Sequence, residues 1–346
     1  MNVAIVGATG YGGVELIRLL KQHPYVTIKT VISTSQSGTP MAEVYPHLTG
    51  IIEQTLESLD VEKLAKEVDF VFFATPAGVS KELIPQFVER GVRCIDVSGD
   101  FRLKDGAAYR EWYKKEPAEE QYLQQAVYGL SEFFAEEIKR ATILANPGCY
   151  PTATLLGLMP LVQEDLIETD SIIIDAKSGV SGAGRGVSLG THFCEVNENV
   201  KAYKLGVHQH TPEIEQALEW ASKGKEIRVT FSTHLIPMTR GIMSTMYVQL
   251  KEPKTTQEMI QFYEEFYREH PFIRIRPEGH WPSTREVYGS NYCDMGFMSD
   301  PRTNRLTIVS VIDNMVKGAA GQAIQNLNLM NGWPVTTGLT LSPVYP

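Results

Sequence analysis

The first part of the chain alternates short apolar runs with segments of helical periodicity. The runs Val3–Val6, Asp69–Ala74 and Val92–Ser98 are rich in apolar residues, which is typical of strands buried on both faces of a sheet. Apolar residues recur at helical spacing over Val79–Arg90, and the pattern stops before Gly91, where helices often end. Strands that alternate with helices predict a parallel sheet covered on both faces, in an α/β domain.

The middle of the chain has a different pattern, in which strand-like runs follow one another with fewer helices. One helix is expected from about Thr256 to His270, because Thr255 and Glu258 have capping-box spacing and Pro271 ends the run. Strands grouped in this way favour a mostly antiparallel sheet in an α+β domain. The strand-like runs are Ser171–Asp175, Lys225–Phe231, Met243–Lys251 and Arg305–Asp313.

The two patterns divide the 346 residues into two predicted domains, and a chain of this length can bury two cores. We expect residues 1–148 and 314–346 to form the α/β domain, because a last helical pattern runs from about Met315 to Met330. Residues 149–313 form the α+β domain in this prediction.

Composition and charge exclude several classes of function. The net charge of −9 gives the chain no overall attraction for nucleic acid or acidic membranes. No apolar run reaches the roughly 18 residues of a membrane span, and strand-like Asn2–Val6 stands where a signal peptide would begin. We therefore expect a cytoplasmic protein that acts on a small molecule. The four cysteines form no C-x-x-C pair, which argues against a structural metal site.

A glycine-rich turn, Gly7–Gly13, stands between the first strand-like run and a helical segment. Strand, glycine turn and helix in this order seat a pyrophosphate at a helix N-terminus. The spacing is G-x-x-G-x-x-G, and the alternative is a tight turn without a ligand. Its position favours a Rossmann-type dinucleotide site. The residues expected at the cofactor are Gly7, Thr9, Gly10, Tyr11, Gly12 and Gly13.

The end of the second strand-like run, Ile28–Thr34, indicates which dinucleotide binds. A carboxylate there would favour NAD by accepting hydrogen bonds from the ribose 2′-hydroxyl. This chain has hydroxyl side chains instead, including Ser33 and Ser35, which can donate to a 2′-phosphate. The segment therefore favours NADP, although it contains no arginine. The alternative is that these hydroxyls only shape a solvated turn.

A second turn, Asn146–Pro151, follows a strand-like run and precedes a helical one. It places Cys149 at the start of a helix, where unpaired N–H groups favour a thiolate and can lower a cysteine pKa by several units from about 8.5. With a nicotinamide cofactor, such a thiolate can form a thioester that hydride reduces to an aldehyde. The other three cysteines lack this context and are expected to be packing residues: Cys94, Cys194 and Cys293.

This chemistry needs a proton carrier. Two histidines, His208 and His210, stand just before a predicted helix that starts near Pro212. The alternatives are a chance cluster on a strand face, and His234 as a rival acid/base. A metal site is not expected, because no third ligand is spaced to match.

The substrate of such a reaction is an anion, and two segments offer groups for it. Arg102 follows a strand end, where parallel sheets place their ligands, and its guanidinium can hold a phosphate or carboxylate through two hydrogen bonds. The alternative is a surface salt bridge with Asp100 or Asp105. The glycine-rich loop Ser178–Gly186 contains Arg185 and can wrap a substrate, and its alternative is a flexible solvent loop.

Together these motifs resemble the N-acetyl-γ-glutamyl-phosphate reductases, a family within the larger aspartate-semialdehyde dehydrogenase group. The resemblance covers nearly the whole chain, and its segments keep one order. These segments are Gly7–Gly13, Asp96–Arg102, Asn146–Thr152, Ser178–Gly186, His208–Glu213 and Val311–Ala319.

The resemblance implies a reaction and roles for single residues. The reaction is the NADPH-dependent reduction of N-acetyl-γ-glutamyl phosphate to the 5-semialdehyde with release of phosphate, in arginine biosynthesis. Cys149 matches the nucleophile, and the His208–His210 segment matches the acid/base region, where we prefer His208. Family members use the sheet of the second domain for dimerisation, which implies a homo-oligomer, either a dimer or a tetramer. Cofactor-binding segments are matched by Ser181, Gly182 and Asn314, and substrate-binding ones by Arg102, Ser178 and Arg185.

Two other functions stay open. Aspartate-semialdehyde dehydrogenases carry a histidine after an Arg-Gly step on a late strand, whereas Ile242 and Met243 follow Arg240-Gly241 here. This difference favours the acetylglutamyl enzymes. A non-catalytic NADP-binding redox sensor, with Cys149 as the oxidisable thiol, would leave Arg102 and the histidine pair unexplained.

Overall fold

The structure is a computed structural model that describes residues 1–345. It contains two compact units, the first formed by Met1–Gly148 with Ala319–Thr340, and the second by Cys149–Gly318 with the residues from Leu341 onward. Residues 314–318 and the residues from Leu341 onward therefore group with the second unit, whereas the prediction had given residues 314–346 to the first.

The first unit contains a six-stranded sheet in the order β2-β1-β3-β4-β6-β5, and every neighbouring pair of strands runs parallel. This confirms the predicted parallel sheet. Up to Gly148 the unit consists of β1 (Asn2–Val6), α1 (Tyr11–Leu20), β2 (Thr27–Ile32), α2 (Met41–Val44), α3 (Val61–Leu64), β3 (Phe70–Phe73), α4 (Ser80–Val88), β4 (Arg93–Asp96), α5 (Gly106–Tyr113), α6 (Glu120–Gln125), β5 (Val127–Tyr128), α7 (Ala135–Ile138) and β6 (Ile143–Ala145).

The second unit contains a seven-stranded mixed sheet in the order β11-β12-β13-β10-β7-β9-β8. The pairs β7–β9 and β11–β12 are parallel, and the other pairs are antiparallel. Its elements are α8 (Cys149–Gln163), β7 (Ile167–Ser178), α9 (Phe193–Val196), β8 (Lys201–Tyr203), α10 (Thr211–Ala221), β9 (Thr230–Leu235), β10 (Ile242–Leu250), α11 (Thr256–Phe266), β11 (Ile273–Ile275), β12 (Cys293–Asp300) and β13 (Arg305–Ile312), while α12 (Gly321–Met330) belongs to the first unit.

Helix α8 is the central helix of the second unit. Every residue from Tyr150 to Val162 is buried, and the helix contacts β10, β13 and α10. A helix that is covered on all sides has an apolar sequence without a polar stripe, which is why the run after Cys149 is so uniformly apolar. The burial of this helix fixes the place where Cys149 begins it.

Helix α11 starts with the predicted capping box. The hydroxyl of Thr255 accepts the backbone N–H of Glu258 at 3.2 Å, and the Glu258 carboxylate accepts the backbone N–H of Thr255 at 2.6 Å. These two bonds satisfy N–H groups that the first turn of a helix leaves unpaired.

The predicted strand at Lys225–Phe231 is wrong at its start, because β9 begins only at Thr230. The backbone N–H groups of Ile227 and Val229 donate to the side chains of Glu219 and Glu215 on α10, at 3.4 and 3.1 Å. The two N–H groups therefore bind glutamate side chains instead of the carbonyl groups of a neighbouring strand.

The strands β1, β3, β4 and β6 of the first unit run parallel, so their carboxyl ends lie along one edge of that sheet. The segments that follow them include the glycine turn after Val6 and the segment around Arg102. Parallel sheets bind ligands at this edge. Within residues 1–345, no helix is both long and apolar enough to cross a bilayer.

Candidate active site

The glycine turn after β1 contains two kinds of glycine. Gly7 has a φ of +86°, and a Cβ placed on it would lie 2.4 Å from the carbonyl oxygen of Ala74. A Cβ on Gly13 would lie 2.4 Å from the carbonyl oxygen of Gly7. These two glycines are therefore required by the packing of the turn itself.

At Gly10 and Gly12, an added Cβ would meet no close neighbour in the protein. The atoms nearest to an added Cβ would be at 3.5 Å for Gly10 and 3.7 Å for Gly12, which are ordinary contact distances. Gly10 precedes the first residue of α1, Tyr11, and no side chain caps the helix there. The lack of side chains at these two positions leaves the start of α1 open to a ligand, as a bound pyrophosphate requires.

Three hydroxyl groups form a row beside the glycine turn. The Oγ1 of Thr9 lies 3.3 Å from the Oγ of Ser33, which lies 3.4 Å from the Oγ of Ser35. Ser33 is buried and Ser35 is exposed. The hydroxyl of Tyr45 donates to the carbonyl oxygen of Thr9 at 3.0 Å. Sequence reasoning missed Tyr45, because nothing in its local sequence relates it to the turn.

Arg102 is buried, with 7% of its surface exposed, so it is not the surface side chain that the salt-bridge alternative required. Its Nε donates to the carbonyl oxygen of Asn146 at 2.8 Å, and Nη2 donates to that of Val97 at 3.0 Å. The guanidinium therefore lies between the segments that follow β4 and β6.

A buried group of acidic and hydroxyl side chains follows the end of β4. The carboxylate of Asp100 accepts hydrogen bonds from the backbone of Gly78 at 2.7 Å, from the Ser80 hydroxyl at 2.9 Å and from the Tyr109 hydroxyl at 2.6 Å. Because Gly78 and Ser80 lie at the start of α4, these hydrogen bonds to Asp100 order that start. Asp96 is fully buried, and burial together with the nearby charge of Asp100 raises its pKa to about 7.

Cys149 is the first residue of α8 and the only residue of its first turn that is not buried. The first turn contains no acidic side chain, and the N–H groups at the start of a helix attract negative charge. Cys94 and Cys293 are buried in strands, whereas Cys194 is exposed on α9. Cys149 therefore combines access to solvent with a long buried helix behind it.

The histidine pair lies just before α10. The backbone N–H of His210 donates to Nδ1 of His208 at 3.1 Å, and the two ring centroids are 4.8 Å apart. His208 is 3% exposed and His210 is 9% exposed. Because Nδ1 of His208 accepts this bond, the neutral imidazole carries its proton on Nε2.

Three aromatic rings surround His208. The ring centroids of Tyr150, Tyr203 and Phe231 lie 5.5, 5.7 and 5.5 Å from its own, all in edge-to-face contacts. Burial in this apolar surrounding lowers the pKa of His208 to about 3, and the charge of Lys204 acts in the same direction. The hydroxyl oxygens of Tyr150 and Tyr203 are 2.9 Å apart. Sequence reasoning missed these rings, which come from α8, β8 and β9.

The loop Ser178–Gly186 is anchored at one end. The side-chain amide of Asn314 donates to the Oγ of Ser181 at 3.0 Å and its oxygen accepts the backbone N–H of Gly241 at 2.8 Å. A Cβ on Gly182 would lie 3.3 Å from the Oγ of Ser178. Ser178 is buried, while Arg185 is exposed. The structure thus brings Ser178, Ser181, Gly182 and Asn314 together and leaves Arg185 at the surface.

The rival histidine, His234, lies on β9. Its Nδ1 is 3.2 Å from a carboxylate oxygen of Asp175 on β7, which also pairs with Lys177 at 2.6 Å. His234 therefore lies beside the Asp175–Lys177 ion pair on the sheet. The sequence did not indicate that a carboxylate lies next to this histidine.

Two family models match the chain, the semialdehyde dehydrogenase NAD binding domain over residues 2–141 and the semialdehyde dehydrogenase dimerisation domain over residues 149–314. Solved structures share the fold. One is an aspartate semialdehyde dehydrogenase II complexed with ASA from Vibrio cholerae, with a TM-score of 0.73, 19% identity, and coverage of 96% of this chain and 98% of that chain. Another is an aspartate semialdehyde dehydrogenase with NADP from Candida albicans, with a TM-score of 0.69, 17% identity, and coverage of 95% and 98%. The fold and both domains are those of the semialdehyde dehydrogenases, which confirms the predicted fold class.

Closer relatives specify the family within this class. An N-acetyl-gamma-glutamyl-phosphate reductase from Geobacillus kaustophilus (strain HTA426) is 59% identical over 346 residues, which cover 100% of both chains. One from Bacillus subtilis (strain 168) is 54% identical over 347 residues, again with 100% of both covered. The chain belongs to the N-acetyl-gamma-glutamyl-phosphate reductase family. The family resemblance seen in its motifs is confirmed.

Proposed function

We propose that this protein uses NADPH to reduce N-acetyl-γ-glutamyl phosphate to N-acetyl-glutamate 5-semialdehyde and phosphate, a step of arginine biosynthesis. The observation that carries the proposal is the position of Cys149 at the open start of a helix that is otherwise buried, in the same unit as the His208–His210 pair. A relative that bears the name of this activity is 59% identical to the chain.

The residues of the glycine turn fit a dinucleotide. Gly7 and Gly13 shape the turn, Gly10 and Gly12 leave it uncovered, and the hydroxyls of Ser33 and Ser35 lie next to Thr9. We assign these groups, with Thr9 and Tyr11, to NADPH binding. As the family resemblance implies, we also assign Ser181, Gly182 and Asn314 to contacts with the cofactor. The cofactor supplies the hydride of the reaction.

Cys149 acts as the nucleophile in this proposal. Its sulfur forms a bond to the acyl carbon, the bond from that carbon to the phosphate oxygen breaks, and phosphate leaves. After hydride addition, the oxygen of the resulting hemithioacetal carries a negative charge that a proton neutralises. Removal of that proton breaks the carbon–sulfur bond, releases the aldehyde and restores the thiolate.

We assign the proton transfer to His210 and a positioning role to His208. The ring of His208 uses Nδ1 to accept the His210 backbone N–H, and its pKa of about 3 keeps it from taking up a proton near neutral pH. The sequence had favoured His208 for this task. The hydrogen bond and the burial favour His210, whose ring is the less enclosed of the two.

We assign the substrate's anionic groups to Arg102, Ser178 and Arg185. Arg102 is held in place by two backbone carbonyls, and a guanidinium held in this way loses little freedom when it binds phosphate. Ser178 is buried beside Gly182, and Arg185 lies on the exposed part of the same loop.

We further propose a homo-oligomer in the cytoplasm. The family model over residues 149–314 describes a dimerisation domain. Across the sheet of the second unit, Ile173, Tyr247, Thr307 and Met298 stand in register in one row, and Ile173 and Met298 are each 39% exposed. Exposed apolar side chains on an open sheet face favour a partner. Sedimentation should give a dimer or a tetramer, and a monomer at assay concentrations would contradict this assignment.

The central experiment replaces the nucleophile. Cys149→Ala should abolish the phosphate-dependent oxidation of N-acetyl-glutamate 5-semialdehyde while NADP binding, measured by calorimetry, stays intact. The matched control is Cys194→Ala, which removes the exposed thiol of α9 and should keep normal turnover. Near-normal turnover by Cys149→Ala would refute the mechanism. Aspartate semialdehyde, assayed side by side, should be the poorer substrate.

A further inference from the structure

We propose that Gly318 is a positioning residue for Cys149. The absence of a side chain at residue 318 lets the turn Asp313–Gly318 pack directly on the first residue of α8, and this contact fixes where the thiol lies. The inference rests on the proposed role of Cys149 as the nucleophile. Both residues belong to the second unit.

The contact involves atoms that cannot easily move away. A Cβ placed on Gly318 would lie 2.8 Å from the Cβ of Cys149, 3.1 Å from its Cα and 3.2 Å from the Cδ1 of Ile312. Two of these atoms are Cα and Cβ of the nucleophile, and not the far end of a flexible side chain. A methyl group at residue 318 would therefore push Cys149 and the start of α8 aside.

Backbone conformation does not explain the glycine. Among the described residues, Gly7 and twelve other glycines have a positive φ, and Gly318 is not one of them. Any residue could adopt its backbone angles, so space is the reason for the glycine at residue 318.

The turn that carries Gly318 is itself held firmly. The backbone N–H of Gly318 donates to the carbonyl oxygen of Asp313 at 3.0 Å, a five-residue step that belongs to a π-helical turn, Val316–Ala320. The buried carboxylate of Asp313 accepts the backbone N–H groups of Met315 at 2.8 Å and of Gly289 at 2.7 Å. Single π-turns occur often at functional sites.

An anchored turn on one side and a buried helix on the other leave Cys149 little freedom. A displacement of about 1 Å between reacting groups can lower a rate by about 10²-fold. To admit the methyl group of Gly318→Ala, the neighbouring atoms must move by a few tenths of an ångström to nearly 1 Å. We therefore expect kcat to fall by about 10- to 100-fold. The KM for NADPH should change little, since the contact is with the nucleophile.

The test compares Gly318→Ala with Gly190→Ala in the full-length protein. Gly190 is exposed, and an added Cβ there would have no neighbour closer than 4.0 Å, so this variant should keep wild-type values. For each protein we would measure kcat, the KM for NADPH, the melting temperature, and the rate of Cys149 alkylation by iodoacetamide from pH 5 to 9. Gly318→Ala should change the alkylation profile and kcat together.

A merely structural role gives a different result. In that case Gly318→Ala would melt at a lower temperature but show wild-type kcat and alkylation at 15 °C, and this outcome would overturn the inference. If Gly318→Ala does not fold, Asp313→Asn loosens the same turn without adding an atom. It should lower kcat and alter the alkylation rate, and wild-type values for both would equally overturn the inference. Cys149→Ala separates the two proposals, because its normal turnover would refute the proposed function itself.

Discussion

The Nδ1 atom of His208 accepts the backbone N–H of His210 at 3.1 Å, so the first histidine of the pair holds the second in place. Protonation of this nitrogen would break the bond inside a surrounding that is almost closed to water, since His208 is 3% exposed. A neutral imidazole in this position acts as a fixed hydrogen-bond acceptor. The two histidines therefore have different tasks, and variants of them should behave differently.

The first prediction compares His210→Asn with His208→Asn. An asparagine at residue 208 keeps an acceptor close to the position of Nδ1, whereas an asparagine at residue 210 removes the proton carrier. We expect His210→Asn to lower kcat by about 10²- to 10⁴-fold, the usual loss when general acid–base catalysis is removed. His208→Asn should lower kcat less. Steady-state kinetics at saturating substrate decide this, and a greater loss for His208→Asn would return the proton transfer to His208.

The second prediction concerns the stability of the protein in mild acid. His208 has an unfolded pKa of about 6.5 and a folded pKa of about 3, because burial disfavours its charged form. Between these values the unfolded chain binds a proton that the folded chain does not, so stability falls as the pH falls below about 6.5. At pH 5 the loss from this one group is about 2 kcal/mol relative to pH 7.5.

The comparison variant for this prediction is His208→Phe, which fills the same space without a titratable group. The free energy of unfolding of the wild type should decrease relative to that of His208→Phe by about 2 kcal/mol from pH 7.5 to pH 5. The measurement is urea unfolding followed by near-ultraviolet circular dichroism at both pH values. A difference that does not change with pH would show that His208 has a normal pKa in the folded protein.

Local patterns sufficed for much of the fold and for the identity of several site residues. The run before Gly7 and the run after Cys149 are apolar because β1 and α8 are buried on all sides, and burial of this kind is visible in a sequence. Thr255 and Glu258 signal the start of α11 because a capping box is a contact between residues three positions apart. These features depend on neighbours in the chain.

The tasks of the site residues depend on contacts between distant segments, which no local pattern contains. The pKa of His208 is set by Tyr150, Tyr203 and Phe231 from three separate elements. The helical pattern from Met315 onward gave no sign of the π-turn at its start, because this segment is buried almost throughout and has no exposed polar stripe that an extra residue would displace. The start of β9 at Thr230 likewise depends on Glu215 and Glu219 of α10, which bind backbone N–H groups several residues further along the chain.

The third prediction tests whether Arg102 binds phosphate. Arg102→Lys keeps the positive charge but cannot reach two backbone carbonyls and a phosphate at once. We expect the KM for phosphate in the reverse reaction to rise about tenfold or more. The control is Arg93→Lys, since Arg93 also donates to backbone and side-chain oxygens of its own unit, those of Met330 and Asn331.

Arg93→Lys should lower the melting temperature without changing the KM for phosphate. If both lysine variants only lose stability, Arg102 serves to join the segments after β4 and β6. If Arg102→Lys alone changes the KM for phosphate, the buried guanidinium binds the anion. The initial rate at several phosphate concentrations, with the semialdehyde and NADP saturating, separates the two results.

The last prediction concerns the choice between NADPH and NADH. Ser35 is exposed and its hydroxyl lies 3.4 Å from that of the buried Ser33, at the end of the row that begins at Thr9. Ser35→Asp places a negative charge where the 2′-phosphate is proposed to bind, and an exposed charge pair of this kind is worth about 1–2 kcal/mol. The KM for NADPH should therefore rise about 5- to 30-fold, while that for NADH, which has no 2′-phosphate, should stay within about twofold. Ser37→Asp makes the same change in charge two residues further on and should have the smaller effect, so an equal rise for NADPH and NADH in Ser35→Asp would place the 2′-phosphate elsewhere.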